Sequence, residues 1–314
     1  MTIPIWLDTD PGFDDWMAWA LLEAAPEFDL RGVGVVAGNA PLATTMRNAL
    51  AIRELHGFTT PVYAGCDRPL SQPQTTAHDV LGEDGMDSTG RRLALPTTRP
   101  QPQHAVPALI DAVRAAPGRI TLLAVGPLTN VATAFALAPE LPQLLKQLVI
   151  MGGSTVGGNA TAAAEFNIHA DPEAAARVFA CGVPVHMFGL NVCHQVGVTD
   201  AHVARMRAVG SLPAAVFADY LDGYVAIARQ RGRAFQSLYD PSPVIWLARP
   251  ELFTLKPGCV EIELAGTHTR GMTVCDLRAK ALERANAQVA MQADGPAALD
   301  WAFTQLEALM GGSR

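Results

Sequence analysis

The sequence predicts an α/β protein built on an open, mostly parallel sheet that is flanked by helices. Short β-rich runs alternate with helical segments over the first two thirds of the 314 residues. The β-rich runs are continuously apolar, which is typical of strands buried on both faces. With 49% hydrophobic and 17% charged residues, the chain has enough apolar material for one large core. We expect one domain over residues 1–314, with extra helices and strands in its last third.

The spacing of apolar residues places the individual elements. Strands are predicted at residues 3–7, 32–37, 61–64, 119–125, 147–151, 183–190, 259–264, 271–276 and 286–292. Helices are predicted at residues 14–24, 41–56, 104–115, 128–138, 171–180, 212–231, 240–248 and 294–310. Residues 71–102 are rich in Pro, Gly, Asp and Thr, which indicates a long loop of the kind that often forms a lid.

Charge and cysteine usage narrow the class of protein. The net charge of -7 argues against a nucleic-acid surface or a basic membrane face. The five cysteines are odd in number and form no CxxC pair, so neither a disulfide framework nor a zinc ribbon is indicated. The N-terminus lacks the basic region of a signal peptide, and no apolar run reaches the roughly 18 to 20 residues of a membrane span. We therefore expect a cytoplasmic protein.

An acidic cluster follows the first predicted strand. Asp8, Asp10, Asp14 and Asp15 lie within eight residues of one another. Packing four carboxylates together is unfavourable unless a cation neutralises them. Oxygen ligands suit a hard divalent ion such as calcium or magnesium, and the absence of His and Cys from this segment argues against zinc.

Two aspartates after a strand also occur in haloacid-dehalogenase-type phosphatases. In that fold the first aspartate, here Asp8, is a nucleophile and the ion is magnesium. The fold needs a later Ser or Thr, a Lys and a further acidic pair at strand ends. This chain shows no clear set of that kind, so the phosphatase remains a weak alternative.

Other predicted strand ends carry groups that bind sugars or metals. The Gly126-Pro127 turn exposes the carbonyl of Val125, and calcium accepts backbone carbonyls. Asp240 precedes Pro241, a position that is typical of a helix cap. Amide and carboxylate side chains that can fork onto sugar hydroxyls occur at Asn39, Asn159, Glu165 and Asn167.

At this point the sequence resembles the inosine-uridine-preferring nucleoside hydrolases over nearly its whole length. The resemblance implies a Rossmann-like α/β fold and hydrolysis of the N-glycosidic bond of ribonucleosides. Six segments in the same order carry it: DTDPGFDD (8–15), VAGNAPLATTMRNAL (36–50), LLAVGPLTNVA (122–132), GGNATAAAEFNIHADPEAA (157–175), GLNVCHQ (189–195) and LYDP (238–241).

The resemblance also implies roles for single residues. The metal would be Ca²⁺, completed by the 2′- and 3′-hydroxyls of the substrate, and Asp10 would also be the base that deprotonates water. Asp8 would support the site from behind. The implied protein ligands of the metal are Asp10, Asp15, Asp240 and the Val125 carbonyl. The implied ribose contacts are Asp14, Asn39, Asn159, Glu165 and Asn167.

Two positions depart from the best-known branch of the family. Tyr239 stands where that branch carries a histidine that protonates the leaving base, and Leu81 stands where it carries a loop histidine. Tyr239 can donate a proton or stack on the base, although a phenol is a poor acid at pH 7. Stacking favours purine ribonucleosides. Further candidates for contact with the base are His78, Tyr224, Arg229 and Gln230.

These departures leave two classes of function open. The first is a calcium-dependent ribonucleoside hydrolase in nucleoside salvage or catabolism, with Asp10, Asp14 and Tyr239 as catalytic residues. The second is a non-catalytic, calcium-dependent protein that binds nucleosides or ribose. By analogy with the family, we expect a homodimer or homotetramer.

Overall fold

The computed structural model describes residues 2–312; residues 1, 313 and 314 of the predicted domain lie outside that range. The strands are β1 (Ile3–Thr9), β2 (Phe28–Val35), β3 (Val62–Ala64), β4 (Thr121–Ala124), β5 (Gln147–Met151), β6 (Val185–Phe188), β7 (Gly197–Val198), β8 (Gln236–Ser237), β9 (Phe253–Ile262), β10 (Thr273–Asp276) and β11 (Ala287–Ala293). Nine strands form one sheet, and β7 pairs with β8 in a small antiparallel sheet.

Helices cover the sheet on both faces. They are α1 (Phe13–Ala24), α2 (Leu42–His56), α3 (His78–Leu81), α4 (Ala105–Ala115), α5 (Thr129–Leu137), α6 (Leu141–Leu144), α7 (Phe166–Ala170), α8 (Pro172–Phe179), α9 (Leu190–Cys193), α10 (Asp200–Ala208), α11 (Leu212–Gln230), α12 (Pro241–Ala248) and α13 (Gly295–Met310). Short 3₁₀ segments lie at Pro250–Leu252 and Ala279–Arg284. Within residues 2–312 no helix is long and apolar enough to cross a membrane.

The strand order positions a binding crevice. The main sheet runs β10-β9-β11-β6-β5-β4-β1-β2-β3, and every neighbouring pair from β11 to β3 is parallel. At one edge of this sheet, β9 pairs in antiparallel fashion with both of its neighbours, β10 and β11. The prediction of an open, mostly parallel sheet with extra C-terminal strands is confirmed. Chain order reverses between β1 and β4, and ligands in such sheets bind beyond the carboxyl ends of strands at this reversal.

The central strands are buried on both faces, as their continuous apolar character predicted. Along β1, Ile5 and Leu7 belong to one apolar cluster, whereas Trp6 belongs to the cluster on the opposite face. Successive strand residues point to opposite faces, so both must be apolar when helices cover both. The carboxyl end of β1, where the acidic residues lie, is thus supported by an apolar core on each face of the sheet.

Several boundaries differ from the predictions. β2 begins at Phe28, four residues before the predicted start at residue 32. The prediction began too late because the polar residues Asp29 and Arg31 interrupt the apolar pattern there. β9 begins at Phe253, six residues before the predicted start at residue 259. The prediction began too late because Lys256 and other exposed residues interrupt the apolar pattern in the first half of this strand. A short helix, α3, lies inside the predicted long loop.

Candidate active site

The acidic residues lie where β1 ends and α1 begins, at the reversal of the sheet. Asp8 is in β1, and Asp14 and Asp15 occupy the first turn of α1. Negative charge is favoured at a helix N-terminus, which offers unpaired N–H groups and a positive dipole end. The Gly12 N–H donates to Asp15 Oδ2 at 2.9 Å. This bond holds the Asp15 carboxylate at the start of α1, and Asp14 beside it lines the crevice.

Asp15 is held by donors on both of its oxygens. The Thr9 hydroxyl and the Asp10 N–H donate to Oδ1, the latter at 3.1 Å. The side-chain amide of Asn39 donates to Oδ2 at 3.2 Å. Asn39 follows β2, so this bond joins two neighbouring strand ends and fixes the orientation of the carboxylate.

Asp10 is enclosed by two glycines that follow neighbouring strands. Its Oδ2 accepts a 2.6 Å hydrogen bond from the Asn39 N–H. A Cβ atom at Gly38 would lie 2.1 Å from Oδ2, and one at Gly126 would lie 2.5 Å from Oδ1. Only glycine permits such close approach. Sequence reasoning missed this role, although both glycines could be found as residues directly after a predicted strand.

Three buried carboxylates form a candidate cation site. Asp14, Asp15 and Asp240 each offer an oxygen, and these oxygens lie within 4.8 Å of one another. Asp240 is in the cap position of α12, yet its side chain makes no cap hydrogen bond and is available to the cluster. This trio, found among residues 2–312, differs from the predicted set of metal ligands in two ways. It includes Asp14, which the resemblance assigned to ribose. It leaves out Asp10, whose oxygens face Gly38 and Gly126.

The electrostatics of these carboxylates suit a cation. Burial, followed by repulsion from neighbouring carboxylates, raises the pKa of Asp10 and of Asp240 well above the usual range. Burial and the charge of Asp15 raise the pKa of Asp14 to about 7. No Lys or Arg within residues 2–312 forms an ion pair with any of the four. A hard divalent ion fits this all-oxygen donor set and would supply the missing positive charge.

Polar residues after β5 reach the same place. Asn167 Nδ2 donates to the Val125 carbonyl at 2.7 Å, which leaves that oxygen a second lone pair. Glu165 caps α7 by accepting the N–H of Asn167 at 3.0 Å, and burial raises its pKa to about 7. Asn159 Oδ1 accepts the Phe166 N–H at 2.9 Å. These bonds position the predicted ribose contacts around the carboxylates.

Asp8 lies behind the cluster. Asn130 Nδ2 donates to its Oδ2 at 2.9 Å, and burial raises the pKa of this carboxyl to about 7. Asn130 Oδ1 in turn accepts the Cys66 N–H at 2.7 Å. Sequence reasoning placed Asp8 behind the site but missed Asn130, which belongs to the same VGPLTN segment as Val125.

A cavity of about 530 Å³ opens over these residues. It brings together most of the predicted contacts, namely Asp14, Asn39, Val125, Asn159, Glu165, Asn167, Asp240, Leu81, Tyr224 and Tyr239. It also has wall residues that sequence reasoning missed: His194, Arg231, Arg233 and Gln236. Three of these residues, Arg231, Arg233 and Gln236, follow the long helix α11.

Three predicted base contacts lie elsewhere. Arg229 is ion-paired with Asp222, which directs its guanidinium along the surface of α11. Gln230 lines a neighbouring cavity of about 330 Å³. His78 is exposed and pairs with Asp79, and it does not line the larger cavity.

The two tyrosines of the cavity have different surroundings. Tyr224 Oη is buried, 3.2 Å from Asp14 Oδ2 and 2.8 Å from the Ser237 carbonyl, so it supports Asp14 from the wall. Tyr239 is half-buried, with its ring edge-on to His194 at a centroid distance of 6.1 Å. Burial raises the pKa of Tyr239 to about 12.

Comparison with known proteins identifies the family. The model of the inosine-uridine preferring nucleoside hydrolases matches residues 5–300. The chain belongs to this family. It is therefore an enzyme of the nucleoside hydrolase class, and this membership displaces the phosphatase alternative.

Individual relatives of this nucleoside hydrolase differ in the substrates that their names state. It is 41% identical to a pyrimidine-specific ribonucleoside hydrolase, RihA, of Shewanella woodyi, over 98% of this chain and 99% of the relative. It is 40% identical to a non-specific ribonucleoside hydrolase, RihC, of Escherichia coli, over 96% and 97%. A purine-preferring ribonucleoside hydrolase from Gardnerella vaginalis superposes with a TM-score of 0.91 at 29% identity, over 98% and 99%.

Proposed function

We propose that this protein hydrolyses the N-glycosidic bond of ribonucleosides to free base and ribose in a calcium-dependent reaction. The observation that carries the proposal is the buried trio of Asp14, Asp15 and Asp240. Two of its members, Asp14 and Asp240, line a cavity together with polar side chains. We propose Ca²⁺ as the ion, held by Asp10, Asp15, Asp240 and the Val125 carbonyl, with Asp14 close enough to join them. A bound cation of this kind lowers the pKa of a water molecule and polarises it for attack.

The residues of the chain supply the other parts of the reaction. Asp10 takes the proton of the attacking water, since its carboxylate is fixed by the Asn39 N–H and its proton affinity is raised by burial. Asp14, with the Tyr224 hydroxyl behind it, binds ribose and stabilises positive charge that develops on the sugar ring. The hydroxyls of ribose are bound by Asn39, Asn159, Glu165 and Asn167.

The proposed contacts with ribose explain why substrate choice rests on few residues. Binding energy from the hydroxyls orients the anomeric carbon regardless of the base. Tyr239 offers an aromatic face at the base end of the cavity, and stacking on it favours purines. Among the similar proteins, the one from Gardnerella vaginalis is named purine-preferring, whereas the Shewanella woodyi relative is named pyrimidine-specific. We propose a preference for purine ribonucleosides within a broad range.

A second candidate is a calcium-dependent binding protein without turnover. It is favoured by one observation: Tyr239 and Leu81 stand where the best-known branch of the family carries a leaving-group histidine and a loop histidine, respectively. Incubation with inosine, adenosine, uridine and cytidine, with an assay for reducing sugar, separates the two. The hydrolase predicts ribose release that a chelator abolishes. Calcium-dependent nucleoside binding without ribose from any of the four would instead support the binding protein.

Three further expectations belong to this proposal. We propose a homodimer or homotetramer, a cytoplasmic location, and one domain over the whole chain. Light scattering of the purified protein measures the first, and fractionation of cells that express the full chain measures the second. Calorimetry tests the third, since one domain predicts a single cooperative unfolding transition.

A further inference from the structure

We propose that Arg233 is a catalytic residue, which stabilises the negative charge that develops on the departing base. This inference rests on the proposed function. It deepens that function by assigning the leaving-group step to a permanent cation, at a site where the histidine expected at position 239 is replaced by a tyrosine.

The end of α11 fixes the backbone of Arg233. Gly232 has a left-handed φ of 63° and directly precedes Arg233. The Gly232 N–H donates to the Arg229 carbonyl at 3.1 Å, and the Arg233 N–H donates to the Ala228 carbonyl at 2.9 Å. These two bonds form the motif that commonly terminates a helix at glycine. The chain therefore turns sharply after α11, and the position of Arg233 relative to the helix is set by main-chain bonds.

From this position Arg233 reaches the wall of the cavity that Tyr239 and His194 also line. Burial, followed by the charge of Arg233, lowers the pKa of His194. The cation therefore lines the same cavity as these two rings and as Asp14 and Asp240.

The guanidinium of Arg233 is free to interact with a ligand. Arg229, four residues earlier, is ion-paired with Asp222 and Asp200. By contrast, Arg233 makes no ion pair and no side-chain hydrogen bond with any residue from 2 to 312. An arginine keeps its charge and offers five donors. In a protein of net charge -7, an unpaired arginine in the wall of a cavity is suited to an anionic group.

The hydrolysis itself generates such a group. Water oxygen forms a bond to the anomeric carbon, and the carbon–nitrogen bond breaks with its electron pair passing to the base. The water proton passes to the Asp10 carboxylate. The base leaves as an anion whose ring nitrogen and carbonyl oxygen atoms accept hydrogen bonds from the guanidinium, and it then takes a proton from solvent while Asp10 returns its proton. The sum is nucleoside plus water giving base plus ribose.

The test compares two leaving groups. Inosine and uridine need stabilisation of the leaving base, whereas p-nitrophenyl β-D-ribofuranoside releases a stable nitrophenolate anion unaided. For Arg233→Gln we expect kcat on inosine and uridine to fall about 100-fold, as when one donor of an oxyanion site is removed. We expect kcat on the nitrophenyl riboside to stay within a factor of about three, and Arg233→Lys to recover part of the loss, since it restores the charge but not the planar fork.

Two control variants complete the design. Arg114→Gln removes an arginine that pairs with Glu140 on the surface, and it should leave both substrates unaffected. Gly232→Val disturbs the turn without a clash, because a Cβ there has nothing within 4 Å. It should reproduce the selective loss on inosine and uridine, since valine disfavours the left-handed conformation that places Arg233.

The outcomes separate the inference from the proposed function. Equal losses on both kinds of substrate, no loss on either, or a rise in KM alone would each overturn the role of Arg233. If the wild-type protein released neither ribose nor nitrophenolate, the proposed function would fail and the inference with it. The wild type could instead release nitrophenolate while Arg233→Gln hydrolyses inosine at the wild-type rate. That result would support the hydrolase function and refute only the role of Arg233.

Discussion

The backbone N–H of Asn39 donates a 2.6 Å hydrogen bond to Asp10 Oδ2 and joins the ends of two neighbouring parallel strands. The side-chain amide of the same asparagine donates to Asp15 Oδ2. One residue after β2 thus orients two carboxylates after β1. This arrangement holds in place the Asp10 carboxylate that we propose as the proton acceptor, and several expectations depend on it.

The first prediction concerns proton transfer. Asp10→Asn keeps the size of the side chain but removes its basicity, so kcat on inosine should fall by about 10²- to 10⁴-fold. Steady-state kinetics at saturating Ca²⁺ measure this loss. Circular dichroism of the same variant checks that the fold is retained. A folded variant with a near-normal kcat would contradict the assigned role.

The second prediction concerns the glycine that encloses Asp10. Gly38→Ala places a Cβ 2.1 Å from Asp10 Oδ2, so the carboxylate must move. We expect a loss of about 1–3 kcal/mol in the free energy of unfolding and a clear loss of Ca²⁺ affinity. Titration calorimetry and urea unfolding measure the two.

Gly57→Ala is the matched control for Gly38→Ala. Its φ of 67° makes alanine unfavourable by about 1–2 kcal/mol, yet a Cβ there meets nothing within 4 Å. This variant should lose stability and keep its Ca²⁺ affinity. If Gly38→Ala bound Ca²⁺ as tightly as the control, the close packing of Gly38 against Asp10 would not be needed for metal binding, and the prediction would be wrong.

The third prediction concerns pH. Burial raises the pKa of Glu165 to about 7 in the folded protein, from an ordinary value of 4.5. The folded state therefore binds a proton that the unfolded state has released, and stability falls as pH rises from about 4.5 to 7. The full effect is about 3 kcal/mol at most. This loss of stability is absent below the pKa of Glu165 in the unfolded chain and complete above its pKa in the folded protein.

Glu165→Gln removes this titration while it keeps an oxygen that can accept the N–H groups of α7. Unfolding free energies at pH 5 and pH 8, without added metal, should differ less in this variant than in the wild type. Glu251→Gln, at an exposed position that pairs with Arg249, is the control and should keep the wild-type difference. An unchanged pH difference in Glu165→Gln would refute the buried titration.

The fourth prediction concerns the base end. If Tyr239 stacks on the base, Tyr239→Phe should keep kcat within about tenfold of the wild type, because the aromatic face is retained. The same panel of purine and pyrimidine nucleosides measures it. A loss of about three orders of magnitude would identify the phenol as the proton donor instead.

Much of the fold was predictable because its physical causes are local. Continuous apolar runs identified the parallel strands. The helix predicted at residues 171–180 is confirmed as α8, whose N-cap Asp171 accepts the Ala174 N–H at 3.1 Å. The antiparallel strand β9 was predicted too short, because its exposed residues interrupt the apolar pattern. Short helices such as α7, with five residues, are too short to show a periodic apolar pattern.

The candidate site was predictable where it follows strand ends, and less so where it depends on tertiary packing. Asp15 and Asp240 lie together although 225 positions separate them in the sequence, and the family motifs indicated that pairing. The wall of the cavity was harder to predict. Arg229 was expected to face the base, but an ion pair with Asp222 engages it, and Arg233 reaches the wall through a turn that only the backbone geometry reveals.

The most direct test of the account is the release of reducing sugar from inosine with saturating Ca²⁺ and with a chelator. We predict steady release of ribose with the metal, loss of at least about 100-fold with the chelator, and recovery when Ca²⁺ is restored. Release that is indifferent to the chelator, or no release from inosine, adenosine, uridine or cytidine at any Ca²⁺ concentration, would contradict it.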